Sequence, residues 1–226
     1  MAAGAGRHAH ALAAQAQRLG AGDDLPGVLG RRRAVAVVLA AYVAVGVVAA
    51  ALSLALDRDP VSCDGWLGTR GSAALLLSLG VGVCVAAVTI AATRVMVRRA
   101  AWARALHAAL RPTVHRAGDG WLLAIAVASA AGEELLFRGL MVPIFGVLVS
   151  ALVFGGLHQI RGPARWGWMA WATLMGVVFG ALFAATGSLA GPIAAHVAIN
   201  AANLRFLRDN DPAPRPRALG GLLRRS

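Results

Sequence analysis

The chain contains no lysine, although 22 of its 226 residues are basic; every one of them is arginine. Glutamate is almost missing too. Of ten acidic residues only two are Glu, and they are adjacent, Glu133 and Glu134. Charged residues together make up 14%, against about 25% in ordinary soluble domains. That leaves too little polar surface for a water-soluble enzyme of this size. Two cysteines, Cys63 outside and Cys84 inside an apolar run, exclude a disulfide framework and a cysteine-rich zinc module; Cys84 reads as a small core residue. What is abundant is apolar: 58% of the residues, which excludes disorder as the general state. The net charge of +12 does not indicate a nucleic-acid partner. The arginines sit between apolar segments and not on an aromatic-interleaved basic face, and their excess, with that of alanine, points to a GC-rich genome.

A run of about 18 or more apolar residues reads as a transmembrane helix. Runs at 34–56, 72–93, 121 to the two glutamates, 140–157, 166–186 and a shorter one at 189–204 predict an all-α, polytopic bundle of about six spans. Arginines alternate across the connections, 19 on one side and 3 on the other, with Arg138 placed in the third connection. The positive-inside rule then puts both termini in the cytoplasm, and the GC-rich composition points to a bacterial cell membrane. Four regions follow: a cytoplasmic tail, 1–33, expected to be disordered; two spans with a basic loop helix, 34–119; a core, 120–205; and a Pro- and Arg-rich tail, 206–226. In the loop helix Trp102, Leu106 and Leu110 form one stripe and Arg104, His107 and Arg111 another, as on a helix lying against an anionic membrane face; a plain connector fits as well. Gly176 and Gly180, four apart, predict close helix packing.

Ionisable groups in membrane segments are expensive and face a cavity or a partner. Three places break the apolar pattern: Glu133-Glu134 with Arg138, Phe154 with His158, and His196 with Asn200. Glu134 and Arg138 are i,i+4 and share a helix face, so they can pair. Glu133 lies about 100° away and points elsewhere. His196 and Asn200 are also i,i+4 and can present two hydrogen-bonding groups to one point. Glu133, without a cation of its own, is the candidate proton-exchanging group. Asn203 reads as helix-packing glue. One point of geometry fits poorly: these boundaries set Glu133 deep in its span and His158 near the end of the next. They meet only if the third helix tilts or is shorter, or if the fourth extends past Gln159; Pro143 and Gly146 permit such an irregularity.

Glu-Glu-x-x-x-Arg, then Phe-x-x-x-His, then His-x-x-x-Asn, in this order over about residues 120–205, resemble the CAAX protease and bacteriocin-processing (CPBP, or Abi) family, whose best-known branch is the type II CAAX prenyl endopeptidases. The resemblance implies an intramembrane endopeptidase acting on a peptide or a membrane-associated protein tail. By position, Glu133 would activate water, His158 would orient or deprotonate it, and His196 and Asn200 would stabilise the oxyanion. Glu134, Arg138 and Phe154 would support the site. No cofactor is expected; the alternative is zinc held by Glu133, His158 and His196, although an HExxH motif is absent. Peptide or protein substrate and membrane lipid are the implied partners. Two other functions fit the same residues: a non-catalytic immunity or scaffold protein that binds a partner through the cavity, and a proton-coupled transporter.

Overall fold

The computed structural model describes residues 24–211. Most of the two expected tails, residues 1–23 and 212–226, falls outside that range. The described secondary structure is helical apart from one isolated bridge, Ser62 to Ser188. In chain order the elements are α1 (Asp24–Ala55), α2 (Gly71–Arg99), α3 (Ala101–Val114), α4 (Asp119–Glu134), a π-helical segment (Leu135–Met141), α5 (Val142–Leu157), α6 (Arg165–Thr186) and α7 (Ala190–Asp209). Two units divide the chain within α1, between Ala41 and Tyr42; of the first, the helical stretch 24–41 is described. The contacts that follow belong to the second. Helix α1 starts at Asp24, ten residues before the first apolar run.

Four stretches are long and apolar enough to cross a bilayer: Arg33–Ala55, Gly71–Arg99, Asp119–Leu157 and Arg165–Thr186. The count differs from six for two reasons. Helix α7 carries His196, Asn200, Asn203, Arg205 and Arg208 and is too polar to qualify by composition. The 39-residue stretch Asp119–Leu157 is helical in name throughout but not straight. Gly146 has φ 80° and ψ 168°, a conformation essentially confined to glycine. Residues 137 and 150 would stand about 19 Å apart on one continuous helix. Instead the Ser150 hydroxyl donates to the Phe137 carbonyl at 2.7 Å, and the rings of Phe137 and Phe154 meet edge to face at 4.9 Å. The chain therefore folds back at Gly146. The third helix runs past the expected third connection, so Arg138 lies inside a helical segment and not in a loop. It is 1% exposed.

Small residues set the packing. Helix α2 buries Ala74, Ser78, Gly82, Ala86 and Thr89, a stripe at helical spacing that lets α7 come close. A Cβ on Gly82 would stand 2.6 Å from the Gly191 carbonyl oxygen. Ser78 fills the same gap, donating to the Ser188 carbonyl at 2.8 Å and accepting from the Gly191 N–H at 3.0 Å. Gly176 and Gly180 do the same for α6, against Ala151 and Val147 of α5, each of which a Cβ would approach to 2.9 Å. Outward faces carry exposed Leu76, Val83, Val88, Leu148 and Leu152, the apolar surface a lipid-facing helix needs. Cys84 also lies exposed on this face of α2, a correction to its reading as a core residue: the buried stripe runs through Gly82 and Ala86, and residue 84 falls on the opposite side.

The connection after α1 closes one end of the bundle. Cys63 N–H donates to the Gly187 carbonyl and Leu189 N–H to the Val61 carbonyl, while Arg58 donates to the Pro143 carbonyl near the fold-back. At the other end Arg208 bonds Asp119, and His107 reaches the Asn210 carbonyl at 2.8 Å. His107 is 5% exposed and stands edge-on to Phe206. It therefore turns inward and does not join the arginine stripe of α3, because that carbonyl supplies a partner under the helix.

Candidate active site

The two glutamates diverge as helical geometry requires. Glu134 is fully buried, and one of its oxygens accepts from Arg138 Nη1 at 3.0 Å and from His196 Nδ1 at 2.7 Å. Arg138 also donates to the Gly176 carbonyl at 3.4 Å, and its guanidinium lies 4.6 Å from the Phe154 ring centroid. A buried cation is tolerable when its charge, its N–H groups and its flat faces are met in this way. Glu133 turns the other way, into a cavity, with its side chain 15% exposed. Its Oε2 is 3.8 Å from His196 Nε2, too long for a hydrogen bond. His196 thus links the two carboxylates: its Nδ1 is committed to Glu134 and its Nε2 faces Glu133.

His158 follows the last residue of α5, where the helix ends. Its Nδ1 lies 2.7 Å from the Phe154 carbonyl oxygen, so Nδ1 donates there and Nε2 is left free of that bond. Phe154 at 4.3 Å and Trp168 at 5.4 Å between ring centroids fix the plane of its ring. The fold-back explains how His158 reaches the level of Glu133. Glu133 lies 13 residues before Gly146 and His158 12 residues after it, so a reversal at Gly146 sets the two at one level. The third helix did not need to be shorter; it is longer.

Asn200 is held by a residue that spacing rules did not pick out. Its amide nitrogen donates to the Ser129 hydroxyl at 3.1 Å, and Ser129 in turn points at the Ala126 carbonyl at 3.4 Å. Ser129 precedes Glu133 by four residues and so shares its helix face; that spacing was the available signal, but a lone serine in an apolar helix carries little weight without its partner. Asn203 accepts from Arg94 at 2.7 Å and joins α7 to α2.

Glu133, His158, His196 and Asn200 all line one cavity of about 380 Å³. Phe154, Ser129, Tyr42 and Trp168 line it too, and so does the Trp102, Leu106 and Leu110 stripe of α3. Glu134 and Arg138 are not among the lining residues; they sit behind His196. Among the described residues no group of three or more His, Cys, Asp or Glu is placed to hold a metal ion.

Fold and site together mark a membrane-embedded helical protein whose polar groups converge inside an apolar bundle. Residues 120–202 match the family model described as type II CAAX prenyl endopeptidase Rce1-like. The match supports the CPBP/CAAX protease-like family, a protease family and hence one of hydrolases. No curated protein and no solved structure matches the chain.

Proposed function

We propose that the protein is an intramembrane endopeptidase that hydrolyses a peptide bond in a peptide or membrane-associated protein tail, without a metal. One observation carries this reading: a carboxylate, two imidazoles and a carboxamide face a single cavity, while the Glu134–Arg138 pair stays sealed behind them. In this mechanism the Glu133 carboxylate takes one proton from a water molecule, and the water oxygen forms a bond to the scissile carbonyl carbon. His158 Nε2 accepts from the second O–H of that water and orients it. The carbonyl π electrons move to oxygen, and the oxyanion accepts from the Asn200 amide and from Nε2–H of doubly protonated His196. The negative charge of Glu134 supports that imidazolium. Collapse breaks the C–N bond, and Glu133 returns its proton to the leaving nitrogen, which restores the carboxylate. Under the arginine bias the cavity, which runs from the site to α3, opens on the cytoplasmic side.

The test is cleavage by purified full-length protein in lipid vesicles, with and without rigorous metal removal. Glu133→Gln should lower turnover by about 10²–10⁴-fold, and the wild type should keep its activity after chelation. Unchanged cleavage by Glu133→Gln refutes the reading. Loss on chelation with recovery on adding zinc refutes its metal-free form.

A further inference from the structure

The groups assigned so far come from α4, α5 and α7, all inside residues 120–202. One polar side chain meets Glu133 from outside that segment. Tyr42 is the only tyrosine of the chain and belongs to α1, in an otherwise apolar span. Tyr42 is half-buried, and a phenol in apolar surroundings needs a partner for its hydroxyl. Tyr42 lines the same cavity as Glu133, and the two side chains are close enough to interact. Its placement is built into the backbone. Gly132, the residue before Glu133, lies directly against the Tyr42 carbonyl, where a Cβ would collide. Gly46, one turn on, approaches Gly132 in the same way, at 3.2 Å from an added Cβ to the Gly132 Cα. Two glycines thus bring the Tyr42 backbone directly against the residue that precedes Glu133.

Glu133 needs such a partner. Its side chain has three rotatable bonds, Arg138 is engaged by Glu134, and His196 stands 3.8 Å away. A general base must hold its oxygen within hydrogen-bond reach of the water it deprotonates. We propose that Tyr42 is a positioning residue for this reaction: its O–H donates to the Glu133 carboxylate, fixes the carboxylate plane, and leaves one oxygen facing the cavity for the attacking water. The inference rests on Glu133 being the base, and it makes α1 part of the catalytic unit.

Two measurements on the full-length protein test it. Tyr42→Phe removes one oxygen and keeps the ring. It should lower kcat by roughly 10- to 100-fold, the range for a misplaced catalytic group, with KM changed less than about twofold because substrate binding is untouched. Independently of activity, the Raman ring doublet of the sole tyrosine reports how its hydroxyl is bonded. It should change between the wild type and Glu133→Gln, since a carboxylate is the stronger acceptor. Wild-type kcat in Tyr42→Phe, or a loss confined to KM, overturns the proposal; so does a doublet identical in the two proteins. Absence of cleavage by the wild type itself refutes the peptidase reading instead, while the Raman comparison still decides the Tyr42 contact.

Discussion

Replacing Arg138 with methionine removes the cation from the best-buried ion pair of the protein. Arg138 and Glu134 are 1% and 0% exposed and 3.0 Å apart. Methionine fills much of the arginine volume, so the main loss is charge pairing together with the bond to the Gly176 carbonyl. Glu134 would then be a fully buried carboxylate with His196 as its remaining partner, and its second oxygen already has no hydrogen bond among the described residues. Breaking a buried pair from one side costs about 3–5 kcal/mol, or about two to three and a half decades of folding equilibrium. The cause is the charge left behind, so Glu134→Gln in the same chain should recover a large part of the loss; buried pairs replaced on both sides are often nearly neutral. The assay is a double-mutant cycle read by unfolding in mixed micelles. An Arg138→Met protein within about 1 kcal/mol of wild type would refute the argument. So would a double variant no more stable than Arg138→Met alone.

Other outcomes follow from the fold-back and from the connection after α1. Gly146→Ala places a side chain at φ 80° and ψ 168° and should destabilise by about 1–3 kcal/mol. Because the same turn sets the level of His158, it should also lower kcat; a wild-type melting temperature would show that the turn tolerates a side chain. Asp59 is held below the usual carboxylate range, first by the Ser62 hydroxyl and then by the Val61 N–H. A depressed carboxyl stabilises above its unfolded value, about 3.9, and loses that contribution as pH falls through its lower folded value. Protection of the segment 59–63, followed by limited proteolysis, should therefore fall in acid to the level that Asp59→Asn shows at neutral pH; a segment equally protected at both ends of the range contradicts this.

Local pattern alone carried a good deal. Apolar runs separated by arginines are enough to give an all-helical membrane bundle, because a bilayer admits only helices or closed barrels. The i,i+4 spacing of Glu134 with Arg138, and the 100° step to Glu133, follow from helix geometry within one segment, and both are seen in the contacts. Gly176 and Gly180 likewise announce close packing wherever their helix lies. What the tertiary structure decided is every relation between segments. Gly146 is one permissive residue among many until contacts between Phe137 and Ser150 show that the chain reverses there; that reversal moves Arg138 from an expected loop into the interior and brings His158 to the level of Glu133. Which face turns inward is equally non-local: it sends Cys84 outward, tucks His107 under α3, and sets Ser129 and Tyr42 beside Asn200 and Glu133. A hydrogen bond or a buried charge is stabilised by whatever stands opposite it, and what stands opposite comes from residues far away in the chain.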